Sequence, residues 1–175
     1  HTKTKLSVEE LRDWAKTEPL ERQVVASKAG ILLESLLDHL ALLYRTKLPR
    51  QAEPNYTLGD LTGSIAGKLA KAMKIEKSAT TGTAATTVEL HSLLNDIAEM
   101  AWVRNQVGCH FNLTGMSVGD SDVRLLAQRT TVLADAIVCP TCGELPLRNR
   151  SGSFWECQCS QTQLHPLVVP GERAV

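Results

Sequence analysis

Residues 104–110, RNQVGCH, put a guanidinium, an amide and an imidazole within seven positions, and residues 139–159 put four thiols in two close pairs, CPTC and CQC. Arg104 falls where the apolar stripe Leu90, Leu93, Leu94, Ile97, Met100, Ala101 should present its next greasy or small side chain. Burying an unpaired guanidinium is costly, so Arg104 needs a polar cavity or a partner such as Asp38, Asp96, Glu99 or a residue of another chain. His110 comes six residues later, about 120° around an ideal helix from Arg104. The two converge only if the helix ends between them, and Gly108 is a place for it to end. Two readings follow: an ion pair with a histidine closing the helix, or one polar site shared by the guanidinium and the imidazole. Cys109 reads as a small buried residue, because no separate His and Asn pattern accompanies it as for a thiol nucleophile.

The elements that must position these groups read as helices. LSVEELRDWAKTEP has Ser7 with Glu10 three residues on, a capping-box start for a short helix. A long stripe from Pro19, through Leu20, Val24, Ala29, Leu32, Leu33, Leu36, Leu37, Leu40, Leu43 and Tyr44, predicts a helix of about 40 Å, with Gly30 as a possible bend. A third helix spans Leu58, Leu61, Ile65, Leu69 and Met73 despite Gly63 and Gly67. EKSATTGTAATT supplies no anchoring side chains and reads as a flexible connection. A fourth helix carries Arg104, and a fifth starts near Asp120 or Ser121 and runs into Cys139. Nothing before residue 139 alternates with period two for long. The fold class expected is all-α, an antiparallel helical bundle over residues 1–138 followed by a small β segment over 139–175.

Charged residues balance at 19 against 19, which weakens a pure DNA-binder and leaves nucleic-acid contact to local patches. No apolar run approaches the roughly 20 residues needed to cross a bilayer. The start at His1, with methionines only at 73, 100 and 116, suggests a piece of something larger. Five cysteines, four of them late, suit a metal site in a reducing compartment, with cytoplasm the default. His39 reads as a core-edge histidine, and His91 is too far along its helix to join Arg104. No phosphate-binding glycine loop or carboxylate cluster suggests ATP hydrolysis or two-metal chemistry.

The string RNQVGCH resembles the R-X4-6-H signature of HEPN domains, helical-bundle proteins that include many bacterial ribonuclease toxins. Arg104 and His110 match its two named positions, and Asn105 matches the polar residue that the family favours after the arginine. The resemblance covers about seven residues in motif and residues 7 to 137 in architecture. It implies metal-independent cleavage of RNA by 2'-hydroxyl attack, with His110 as acid/base, Arg104 clamping the phosphate and Asn105 orienting one or the other. It further implies a homodimer and a toxin or antiviral-defence effector, coupled to an ATPase domain of the same full-length chain. The alternative is a noncatalytic module that dimerises or binds nucleic acid or protein.

CPTCG followed by WECQC resembles a zinc ribbon, in which two cysteine pairs close one tetrahedral site. Cys139, Cys142, Cys157 and Cys159 are the ligands expected for a structural Zn2+, with a redox dithiol as the minor reading. The second pair is C-x-C where a ribbon has C-x-x-C, so His165 stands as a substitute ligand, and Phe154 and Trp155 as covers. Arg148, Arg150 and Trp155 combine cations and an aromatic face suited to single-stranded nucleic acid or protein tails, the other reading being a folded cap on the last helix of the bundle.

Overall fold

A computed structural model describes residues 2–48, 57–79, 84–108 and 118–171. The chain is mostly helical, with a small antiparallel sheet and a C-terminal cysteine cluster. Helix α1 (Thr2–Lys16) starts upstream of Ser7, since residues 2–6 contain neither proline nor glycine to stop it. The capping start expected at Ser7 is therefore inside the helix. Helix α2 (Arg22–Leu43) begins three residues after Pro19 and is about 33 Å long at 1.5 Å per residue. Arg22 anchors its start by donating to the Val118 carbonyl at 2.6 Å.

Helix α2 is the centre of the bundle, packed against α1, α3 and α6. Its apolar side chains sit at steps of three and four, and Leu33, Leu36, Leu37 and Leu40 are fully buried. Helix α3 (Leu58–Ile65) opens on a capping box in which the Thr57 hydroxyl accepts from the Asp60 N–H at 3.2 Å. The single third helix expected from the sequence is broken: Gly67, at φ +74°, starts the separate short α4 (Lys68–Ala72).

The segment read as a flexible connection, residues 76–87, is strand at its two ends, which lie in β1 (Lys74–Lys77) and β2 (Thr86–Glu89). With β3 (Trp155–Glu156) and β4 (Thr162–His165) they form one antiparallel sheet in the order β2-β1-β4-β3. β-Branched Ile75 lies opposite Val88 on one side and Leu164 on the other, an apolar row that is buried at Ile75 and Leu164, half-buried at Val88, and packed on the bundle core. The sheet thus takes half its strands from the segment before residue 138, and the β1–β4 pairing crosses the boundary expected there. Helix α5 (Leu90–Val103) leads into a π-helical turn (Arg104–Gly108), and α6 (Asp120–Ile137) returns alongside α5, α1 and α2.

Candidate functional site

The apolar stripe of α5 ends at Val103, and the wider π turn swings the next residue, Arg104, onto α2. Its stem crosses α2 at Gly30, where a Cβ would sit 2.8 Å from both Cγ and Nε of Arg104. Glycine is needed for that close approach, not for a bend. One turn further along α2, Glu34 accepts from the Arg104 guanidinium in an ion pair. The partner is none of the carboxylates the sequence suggested: Asp96 and Glu99 face Arg129, at 3.9 and 3.3 Å. Side-chain exposures of 19% for Arg104 and 30% for Glu34 put the pair at the protein's edge, not in its core. Asn105 is exposed beside it. His110 and Cys109 lie outside the described residues. Sequence reasoning missed Glu34; the signal was a glycine and a glutamate one turn apart on a helix otherwise dominated by leucine.

The four late cysteines come together. Helix α6 stops at Val138, whose backbone is extended, and Cys139 begins a tight knuckle. There the Gly143 N–H donates to the Cys139 carbonyl and the Cys139 N–H to the Glu144 carbonyl, both at 2.9 Å, with Gly143 at φ +71°. The second knuckle is closed by the Cys157 N–H donating to the Thr162 carbonyl at 3.0 Å and the Thr162 N–H to Cys157 Sγ at 3.3 Å. All four Sγ atoms lie within 4.8 Å of one another, an arrangement that could hold a metal ion. Cys159 Sγ is 3.6 Å from the sulfurs of both Cys139 and Cys157. A tetrahedron with metal–sulfur bonds of about 2.3 Å has edges of about 3.8 Å. The C-x-C pair therefore meets the geometry without help from His165.

His165 is outside the cluster. Its ring packs against Phe154 at 5.1 Å between centroids, and its Nε2 is 3.6 Å from the Glu76 carboxylate. Trp155, half-buried, donates from Nε1 to the Leu167 carbonyl at 3.0 Å and packs on the bundle core. Arg150 lies near Glu156, with Nε at 3.5 Å from its carboxylate.

Burial and the three neighbouring thiols push Cys159 up to about 12, against a backbone hydrogen bond from Gln161. Burial likewise raises Cys157. Burial raises Cys139 too, but hydrogen bonds, including those from the backbone of Cys142 and Thr141, outweigh it and hold this thiol at about 6. Four thiolates this close repel one another, so only a bound cation lets all of them ionise together.

Among the described residues no helix is long and apolar enough to cross a membrane. Compared with protein-family models, with curated proteins and with solved structures, the chain matches none.

Proposed function

We propose that the helical bundle is a metal-independent, HEPN-type endoribonuclease, and that the cysteine cluster holds a structural zinc. The observation that carries the first part is the placement of Arg104: the π turn aims it along α2 to the protein's edge, where Glu34 holds its fork beside exposed Asn105. A guanidinium has five donors, enough to keep Glu34 and take phosphoryl oxygens as well. The sequence tethers His110 two residues beyond the π turn.

In the reaction, His110 takes the proton of the ribose 2'-hydroxyl, the 2'-oxygen bonds to the adjacent phosphorus, and the bond from phosphorus to the 5'-oxygen breaks. The protonated His110 then gives that proton to the leaving 5'-oxygen, and the products are a 2',3'-cyclic phosphate and a 5'-hydroxyl. Arg104 stabilises the charge that builds on the phosphoryl oxygens. RNA is cut and DNA is not, because the nucleophile is the 2'-hydroxyl. A homodimer sets two such centres side by side, and the chain serves as the toxin or effector domain of a larger defence protein that also carries an ATPase domain.

A zinc bound by four cysteines has no open position for a reacting water, so its part is to hold the ribbon together. The supporting observation is the sulfur spacing.

Zinc-loaded protein incubated with single-stranded RNA, without added divalent ions, tests the enzymatic reading. Fragments ending in 2',3'-cyclic phosphate are expected, with R104A and H110A each abolishing them. Intact RNA with a folded wild-type protein rejects it. A second reading, a noncatalytic module that dimerises or binds a partner, is favoured by the same ion pair, since Glu34 already satisfies the charge of Arg104. Under it, RNA is bound or ignored but never cut.

A further inference from the structure

Strand β1 ends beside the cysteine cluster. Lys77 pairs with Thr162 in the β1–β4 register, and the Ser78 N–H donates to the Gln161 carbonyl at 2.9 Å. Gln161 and Thr162, where the second knuckle runs into β4, close that knuckle, and Thr162 is the residue whose N–H reaches Cys157 Sγ. The half-buried Lys77 ammonium turns the other way, to the end of α6. It donates to the Val138 carbonyl at 3.1 Å and to the Asp135 carbonyl. Val138 immediately precedes Cys139, so one side chain ties the first knuckle to the strand that braces the second.

The charges around the cluster make this placement matter. Four thiolates around a divalent ion leave a net charge of −2 in a partly buried site, and such a charge needs donors or a countercharge. Burial disfavours the charged form of Lys77, while the negative potential of Asp135, Cys139 and Cys157 favours it. Among the described residues, Arg150 is shared between the Glu156 carboxylate and the rim of the second knuckle, where it donates to the Gln158 carbonyl at 3.4 Å and the Ser160 hydroxyl at 3.2 Å, and Arg12 pairs with Asp135. Lys77, by contrast, is bonded to neutral carbonyls.

We propose that Lys77, a residue of the bundle sequence 62 positions before the first ligand, is a positioning residue of the metal centre that offsets the thiolate charge and braces the first knuckle. It lowers the nucleophilicity of the bound sulfurs and slows loss of the metal. The ribbon then keeps its ion only while β1 is in place, and the two parts of the chain hold each other through the site. This inference rests on the zinc reading.

The experiment uses the full chain, zinc-loaded, as wild type, K77M and K77R. Metal analysis of the wild type comes first: one zinc per chain is expected, and no zinc overturns the zinc reading together with this inference. Zinc transfer to a chromophoric chelator and alkylation of the cysteines by iodoacetamide are then timed. K77M is expected to lose zinc and to alkylate about tenfold faster, in line with the roughly 10- to 100-fold effects of residues that support metal ligands. K77R, which keeps the charge, is expected to stay close to wild type. If zinc-loaded K77M behaves as wild type, or if K77R is as leaky as K77M, this inference fails while the zinc reading stands. Helical circular dichroism checks each variant's fold, and K77Q makes the same comparison if the methionine side chain prevents folding.

Discussion

Gly30 and Arg104 form a lock that single substitutions can probe. G30A puts a Cβ 2.8 Å from the arginine stem, so either helix or guanidinium must shift. Urea denaturation should show a loss of about 1–3 kcal/mol, typical of overpacking, and any RNA cleavage should fall with it. G63A makes the contrast: nothing lies within 4 Å of a Cβ there, and the site is inside α3. That variant should gain about 0.5–1 kcal/mol from helix propensity. R104A gives up an ion pair that is partly open to water and worth about 0.2–1 kcal/mol. It should therefore stay folded, and its effect on RNA reports on chemistry.

Two contacts join α2 to the chain beyond α6. His39 Nε2 donates to the Pro146 carbonyl at 2.8 Å, and the Tyr44 hydroxyl to that of Pro166 at 2.7 Å. Burial lowers the pKa of His39, against the Pro146 hydrogen bond and nearby Asp38, so the unfolded chain takes up the proton more readily than the folded one. The stability that neutral His39 contributes is whole above the unfolded value of about 6.5 and is lost as pH falls below it. Urea midpoints from pH 8 to pH 5 should fall more steeply for wild type than for H39Q. His165, also lowered by burial, adds a slope of the same sign to both.

The longer helices α2, α5 and α6 were legible because each carries several apolar side chains at steps of three and four, a pattern that survives without knowledge of neighbours, whereas the break between α3 and α4 was not. Strands β1 and β2 were not, because four residues give too short a period and the row Val88–Ile75–Leu164 shows its sense only once the strands are paired. The cysteine cluster was legible because each knuckle is local in sequence. Lys77 was not, since nothing near position 77 points to thiols so far along the chain. The anomaly of Arg104 could be read from the stripe it interrupts. Its partner could not, because several carboxylates were within reach of a helix whose rotation was unknown.

The sheet makes the cysteine cluster a property of the entire molecule. C157S should reduce bound zinc from one per chain to none, measured by metal analysis. Amide exchange should then quicken at Ile75 and Leu164, which pair across the joint, while Leu36 in the heart of α2 stays protected. Light scattering on the full chain should give twice the mass of one copy if the proposed dimer forms.

The strand order has a consequence for synthesis. At about 5–20 residues per second, a ribosome needs roughly 4 to 18 s to travel from Lys77 to His165. During that interval the first hairpin has an open flank, with Ile75 lacking the Leu164 side of its cover. A chain cut after Val138 keeps that flank for good, and its bare backbone groups invite pairing with other copies. Nascent molecules stalled in this window are the ones a chaperone would have to shield.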